Sequence, residues 1–274
     1  MKIYFNHLLL PSEELSFDLD NRAFRYGDGL FETMVVKYGW LRMWKYHWER
    51  LNHGMAALRM QGVEPWSKNT LELEVLHLVE EMGLEQARIR LHVWREGGGL
   101  YTPPGRETAY LIRADPWAPP ASLKKEVGLA TSVKVMPSLW SRFKTHNALT
   151  YVLAGMERQE RRLDDLILLD HLGNVAESTY SNVFWQKDNC WYTPDLASGC
   201  LHGVMRRHII AELYRSGPER LQVGLFPLPH LMQADMLILT NASGITFVER
   251  LNGRPLPLIS SVEVSGWLQN LQSV

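Results

Sequence analysis

The chain has 274 residues, 46% of them hydrophobic, and its 29 lysines and arginines nearly balance 30 acidic residues to give a net charge of -1. This length provides one large domain or two smaller ones, and the charge balance gives no reason to expect nucleic acid or an anionic membrane as a partner. The first 20 residues hold only a short apolar run that Pro11 and several acids interrupt, so we predict neither a signal peptide nor a membrane span there. Cys190 and Cys200 lack a CxxC spacing and favour a reducing, cytoplasmic compartment.

The elements before residue 113 mix strands and helices. The alternation of apolar and polar residues predicts strands over residues 2–5, 31–44 with a turn at Tyr38 and Gly39, 87–95 and 108–114. Apolar residues at helical spacing predict one helix over 44–60, with the stripe Trp44, Trp48, Leu51, Met55 and Leu58, and a second over 71–83 with Gly83 as its C-cap.

A proline-rich stretch, RADPWAPPASLKK, marks the best candidate boundary. Its prolines cannot continue a helix or occupy a central strand. We therefore predict a small N-terminal α/β domain over residues 1–115, a linker over 116–125 and a larger C-terminal domain over 126–274.

The second part of the chain repeats the mixture of elements. Predicted helices cover residues 148–162 and 203–217, and predicted strand pairs around polar turns cover 166–178 and 182–194. A further strand runs from 235 into a turn at 240–244. Strand clusters with interspersed helices in both halves predict an α+β fold with two α/β domains.

Lys144, in SRFKTHNALT, stands just ahead of the apolar stretch ALTYVLAG, which we predict to be a buried helix. Such a lysine is either a solvated first-turn residue or an amine that holds a carbonyl cofactor as a Schiff base. Arg50, in HWERL, is likewise either a surface residue of its helix or a bidentate phosphate ligand. The residues alone leave both questions open.

Four further stretches carry candidate binding groups. RYGDGLFET forms a tight glycine turn before a strand, and Glu177 in AESTYSNVFW is a carboxylate among short polar residues. Gly203 opens a helix whose free N–H groups could hold a phosphate, and the turn TNASG at 240–244 could cradle an anion. Each of these stretches also has an ordinary explanation as a strand end, a turn or a loop-to-helix junction.

Taken in order, RYGDGLFET, HWERL, FKTHNAL, AESTYSNVFW, GCLHGVMR and TNASGITFV resemble the class IV aminotransferases. This family contains branched-chain aminotransferases, D-amino acid aminotransferases and 4-amino-4-deoxychorismate lyases, all of which use pyridoxal 5'-phosphate (PLP). The resemblance covers the chain from about residue 16 to about residue 250. It implies the class IV fold of two α/β domains with the cofactor between them, and a homodimer.

The resemblance also implies roles for individual residues. Lys144 is similar to the Schiff-base lysine, which also acts as the base that moves the substrate's proton, and Glu177 to the partner of the pyridine nitrogen. The implied cofactor-binding residues are Arg50, Lys144, Glu177, Ser181, Asn182, Gly203, Val204, Met205, Asn241, Ala242 and Ser243. The implied substrate-binding residues are Phe31, Thr33, Arg95 and Tyr101.

The motifs favour the lyase within this family. Met205 replaces a threonine found in many of its aminotransferases, the KTHN spacing is that of the lyase and D-amino acid branches, and REGGGLYTP is similar to the glycine-rich loop of the lyases. The lyase would eliminate pyruvate to give 4-aminobenzoate, a step of folate biosynthesis, and the alternative is an aminotransferase for D- or branched-chain amino acids. Because Lys144 and Glu177 are both present, a non-enzymatic binding protein is disfavoured. The scattered histidines predict no metal site.

Overall fold

The computed structural model describes residues 1–257. The chain divides into two compact units, the first formed by Met1–Ala118 with Phe143–Asn147, and the second by Pro119–Arg142 with the chain from Ala148 onward. Residues 143–147 group with the first unit, whereas we predicted them to belong to the C-terminal domain. The predicted linker also includes the start of a strand, β7, which begins at Leu123.

The first unit contains six strands and three helices among the described residues. They are β1 (Lys2–Phe5), β2 (Leu8–Pro11), α1 (Arg22–Tyr26), β3 (Gly29–Lys37), β4 (Trp40–Leu41), α2 (Trp44–Ala57), α3 (Lys68–Glu81), β5 (Gln86–Arg95) and β6 (Thr108–Pro116). The strands form one sheet in the order β2-β1-β6-β5-β3-β4. Every neighbouring pair in it is antiparallel.

The core of the first unit lies between this sheet and the two long helices. Leu51 and Met55 of α2 and Val75 of α3 belong to one buried cluster with Met34 of β3 and Leu91 of β5. Ser67 begins α3, where its hydroxyl accepts a hydrogen bond from the N–H of Thr70, as an N-cap serine does. These helices confirm the predicted apolar stripes.

The second unit contains the remaining strands and helices of the described chain. They are β7 (Leu123–Leu129), α4 (Leu149–Glu160), β8 (Asp165–Leu169), β9 (Val175–Ser178), β10 (Asn182–Lys187), β11 (Cys190–Pro194), α5 (Val204–Ser216), β12 (Leu221–Gly224), α6 (Leu228–Leu231), β13 (Met236–Asn241), β14 (Gly244–Leu251) and β15 (Arg254–Pro255). The sheet order is β12-β11-β10-β13-β14-β7-β8-β9, with β15 paired to β14. The pairs β11–β12, β14–β7 and β7–β8 are parallel.

Helix α4 is more exposed than we predicted. Its apolar residues Leu149, Val152, Leu153 and Met156 recur at helical spacing, but they are 68%, 54%, 41% and 53% exposed in this chain. The inward face is fixed instead by Ala154 and Glu157, which are buried. The prediction of a buried helix was therefore wrong, because spacing identifies an apolar face but not what covers it.

No helix among residues 1–257 is both long enough and apolar enough to cross a membrane.

Candidate active site

The segment that carries Lys144 is held by β3. The N–H of Phe31 donates to the carbonyl oxygen of Lys144 at 2.8 Å, and the N–H of His146 donates to that of Gly29 at 2.9 Å. Leu30 and Thr145 form an isolated antiparallel bridge between these bonds. Lys144 therefore lies in a short segment of the first unit that two backbone hydrogen bonds hold against β3. Lys144 is not a first-turn residue of the helix that follows, since α4 begins only at Leu149.

The glycines of RYGDGLFET allow this segment to approach. A Cβ atom at Gly29 would lie 2.5 Å from His146 Nδ1 and 2.6 Å from the carbonyl oxygen of Val93. Gly27 has φ of +63°, and a Cβ there would lie 2.8 Å from Asn147 Oδ1. A side chain at either glycine would displace the lysine segment, which gives this motif a physical function.

Arg50 is buried, so the interpretation as a surface residue was wrong. Only 5% of it is exposed, and its Nε donates to Glu32 Oε1 at 2.8 Å while Nη2 pairs with Glu32 Oε2. His47 Nδ1 lies 2.7 Å from the same Oε2. Burial opposes ionisation of Glu32, but the neighbouring Arg50 and His47 outweigh it and hold the pKa of this carboxyl at about 2. The carboxylate thus fixes the plane of the Arg50 guanidinium.

We predict that Arg50→Ala lowers the free energy of unfolding by about 3–5 kcal/mol, because the buried Glu32 carboxylate loses its cation. Urea unfolding of the full-length chain measures this change. The double variant Glu32→Gln with Arg50→Ala leaves no unpaired carboxylate and is expected to regain much of the loss. If Arg50 also binds the PLP phosphate, the double variant still loses PLP affinity, by about 1.5–3 kcal/mol. Unchanged affinity in a folded double variant would rule out the phosphate contact.

Two predicted substrate residues lie beside each other on β3. The amine of Lys144 lies 4.4 Å from the centroid of the Phe31 ring. Thr33 is two residues further along and therefore points to the same face of the sheet, opposite Arg90 of β5. Phe31 is thus next to the predicted reactive amine.

Arg95 is hydrogen-bonded to several groups of the first unit. Its side chain donates to Asp28 Oδ2 at 3.0 Å, to the carbonyl oxygen of Leu58 at 2.6 Å and to that of Arg59 at 3.2 Å. The residue is 7% exposed. These bonds tie the end of α2 to the glycine turn, and a contact between Arg95 and substrate stays a prediction.

Tyr101 is 87% exposed, and its ring lies 5.5 Å from that of Tyr26. The loop before it is held by Arg22, a residue that the sequence did not single out. Arg22 is 3% exposed and donates to the carbonyl oxygens of Gly98 and Leu100 at 3.1 and 2.7 Å. A contact between Tyr101 and substrate stays a prediction.

In the second unit, Glu177 lies on β9 and is 3% exposed. The Tyr151 hydroxyl donates to its Oε1 at 2.6 Å, and the N–H of Leu201 donates to its Oε2 at 3.0 Å. Burial, followed by the charge and hydrogen bond of Glu177, raises the pKa of the Tyr151 phenol, so Tyr151 remains a donor. Hydrogen bonds to a carboxylate favour its ionised form, which is the form that accepts a hydrogen bond from a pyridinium N–H.

The start of α5 has the features of an anion site. Gly203 is the N-cap, no side chain caps the helix, and within residues 1–257 the N–H groups of Val204 and Met205 have no acceptor. Asn182 donates to the carbonyl oxygen of Leu201 at 2.8 Å, and a Cβ at Gly203 would lie 1.8 Å from Asn182 Oδ1. Free N–H groups at a helix N-terminus fit a phosphate, so these residues fit the phosphate group of PLP.

The turn at 240–244 is a hairpin between β13 and β14. Asn241 Nδ2 donates to Ser181 Oγ at 3.1 Å, and Asn241 Oδ1 accepts from the N–H of Ser243 at 2.9 Å. Asn241 therefore shapes the turn around Ala242. The Thr240 hydroxyl is buried without a partner among the described residues, which is unusual for a buried polar atom.

Comparison with known proteins identifies the family. Residues 29–251 match the amino-transferase class IV family. The chain belongs to this family. It is 30% identical to the aminodeoxychorismate lyase of Vibrio harveyi over 82% of this chain and 83% of that one. It is 26% identical to the D-alanine aminotransferase of Bacillus licheniformis over 98% of this chain and 96% of that one.

A solved structure supports the fold. The branched-chain aminotransferase of Thermoproteus uzoniensis superposes with a TM-score of 0.89 at 21% identity, covering 99% of this chain and 93% of that one. These findings confirm the predicted family, its fold, the enzymatic nature of the protein and its use of PLP.

The sequence analysis missed several residues of these arrangements. Glu32 lies within RYGDGLFET and His47 within HWERL, but neither was given a role, and Tyr151 lies outside the six motifs, although each contacts a predicted residue. A signal was available for His47, because it lies three residues before Arg50 and shares a face of the predicted helix with it.

Proposed function

We propose that the protein is a 4-amino-4-deoxychorismate lyase, which eliminates pyruvate from its substrate to give 4-aminobenzoate. The similarity to the Vibrio harveyi lyase, at 30% identity over most of both chains, carries this proposal. The KTHN spacing and Met205 support it, as does the glycine loop that Arg22 orders.

The proposed roles follow from the environment of each residue. Lys144 would hold PLP through its side-chain amine, and the same amine would take the proton from the substrate carbon that bears the amino group. Glu177, fixed by Tyr151 and Leu201, holds a proton on the pyridine nitrogen. PLP supplies the electron sink that stabilises negative charge at the deprotonated carbon.

The phosphate has two proposed sets of ligands. Arg50 contributes a guanidinium that Glu32 holds in one plane, and α5 contributes the N–H groups of Val204 and Met205. The other cofactor-binding residues that we propose in the second unit are Ser181, Asn182, Gly203, Asn241, Ala242 and Ser243. Among them, Asn182 donates to the carbonyl oxygen of Leu201 just before α5, and Asn241 is hydrogen-bonded to Ser181 and Ser243.

The second candidate function is an aminotransferase. The match to the D-alanine aminotransferase spans nearly all of both chains, although at a lower identity. Both reactions begin with the same proton removal. They differ in whether pyruvate leaves or the proton is returned to the cofactor.

Absorption spectroscopy distinguishes the two functions. The purified protein, loaded with PLP, is mixed first with candidate amino acids and then with aminodeoxychorismate, with no keto acid present. The lyase is expected to keep its yellow band with the amino acids and to release pyruvate from aminodeoxychorismate. Stable bleaching by an amino acid, without pyruvate release from aminodeoxychorismate, would contradict the lyase and support the aminotransferase.

The proposed assembly is a homodimer in the cytoplasm. The exposed apolar side chains of Leu149, Val152, Leu153 and Met156 support a contact with a second copy along α4. The two cysteines, free in this structure, suit a reducing compartment.

A further inference from the structure

The sheet of the first unit brings two histidines and a phenylalanine to the face that carries Lys144. The hydrogen bonds described above place Lys144 opposite Phe31 and His146 opposite Gly29. Phe31 is in turn opposite His92 of β5. Because opposite residues of paired strands share a face, the four side chains lie together.

The two histidines contact each other and the phenylalanine ring. His92 Nδ1 lies 3.2 Å from His146 Nε2, which is hydrogen-bonding distance. The Phe31 ring stacks on that of His92, with centroids 5.7 Å apart and 14° between planes, and lies 6.0 Å from that of His146. Since a Cβ at Gly29 would clash with His146, a glycine at that position makes room for the pair.

Burial favours the neutral form of both histidines. Burial, and then the neighbouring His92, lower the pKa of His146 to about 4, although Asp28 and the Leu30 backbone act in the opposite direction. Burial and Arg90 lower the pKa of His92. One ring nitrogen therefore donates to the other, and neither ring carries a charge at neutral pH.

The Phe31 ring is the contact between this pair and the lysine. At 4.4 Å from the ring centroid, the Lys144 ammonium is within cation–π range. Such a contact stabilises the ammonium form relative to the free amine. Burial, together with the charges of Arg50 and Lys144, lowers the pKa of His47 of α2 against the opposing effect of Glu32. The position of the Phe31 ring thus influences the pH at which the Lys144 amine loses its proton and becomes nucleophilic.

We propose that His92 and His146 are positioning residues, which hold the Phe31 ring against the Lys144 amine and thereby set the pH at which that amine captures PLP. This inference rests on the proposed role of Lys144 as the lysine that binds PLP. It adds a control on that lysine from two histidines that contact the Phe31 ring.

The test measures capture of PLP by the full-length protein after its cofactor has been removed. The yellow band that forms on adding PLP is recorded as a function of pH for the wild type, Phe31→Leu, His146→Leu and the double variant. Phe31→Leu is expected to lower the midpoint, the pH at which half of the yellow band forms, by about 0.5–1 unit. This is the shift in the lysine pKa that loss of a cation–π contact would cause. His146→Leu is expected to move the midpoint in the same direction by less. The double variant should match Phe31→Leu, since both changes act through one ring.

A matched control and a second variant complete the test. His53→Leu replaces an exposed histidine of the same unit and is expected to leave the midpoint unchanged. If His146→Leu does not fold, His92→Leu removes the other end of the same hydrogen bond and carries the same expectation. A wild-type midpoint in a folded variant of either histidine overturns the positioning role. If the wild type itself forms no yellow band, the proposed function fails instead.

Discussion

Lys144→Ala is expected to abolish the yellow colour of the PLP-loaded protein and to lower turnover by at least about 10²–10⁴-fold, the contribution of a positioned general base. The proposed cofactor-binding amine and the proposed base are the same group, so both are lost together. Absorbance spectra after incubation with PLP, with pyruvate release from aminodeoxychorismate, measure the two effects separately.

Lys45→Ala is the matched control, because Lys45 is an exposed lysine of α2 in the same unit. It is expected to retain colour and turnover. The change at Lys144 is not expected to unfold the chain, since the backbone bonds from its segment to Phe31 and Gly29 do not depend on the side chain. A folded Lys144→Ala variant with wild-type turnover would contradict the assignment for the lyase and the aminotransferase alike.

Local sequence patterns predicted most of the elements near the candidate site. The alternation in β5 places Ile89 and Leu91 in the core, with Arg88 and Arg90 exposed, as a half-buried strand requires. The stripe of α2 places Leu51 and Met55 in the core in the same way. These predictions succeeded because the burial of each residue follows from the period of its own element.

Long-range pairing was not predictable in this way. The lysine segment pairs with β3, more than a hundred residues earlier, and β7 pairs with β14 and β8. Neither pairing leaves a periodic signal in a short window. The lysine was therefore assigned to the helix that follows it, although the strand opposite it is what holds it in place.

The same distinction separates the site residues that the sequence identified from those that it did not. Lys144, Glu177 and Gly203 were found because their order along the chain resembles a family. Glu32 and Tyr151, which fix Arg50 and Glu177, act through contacts between distant parts of the chain. A buried carboxylate on β3 gives no sign in the sequence of the arginine that it will meet.

Glu177→Gln is expected to lower turnover by about 10²-fold or more, the scale on which loss of one preorganised electrostatic partner slows an enzyme. Glutamine has nearly the same shape and can still accept the hydrogen bond from Tyr151 or Leu201, but a neutral amide does not keep the pyridine nitrogen protonated. The cofactor should remain bound, because Lys144 and the proposed phosphate ligands are unchanged. Single-turnover kinetics with the PLP-loaded protein measure the fall at the proton-transfer step.

Glu160→Gln, at an exposed position of α4, is the control for loss of one negative charge in the second unit. It is expected to leave turnover unchanged. A Glu177→Gln variant that binds PLP and turns over at the wild-type rate would remove the role of Glu177 at the ring nitrogen, and the bonds from Tyr151 and Leu201 would then serve only to hold β9 to its neighbours. A variant that is folded but no longer binds PLP would instead show that Glu177 is needed for cofactor binding. Glu177 is 3% exposed and already accepts two hydrogen bonds. We therefore expect the substitution to change the rate of the proton-transfer step rather than the affinity for PLP.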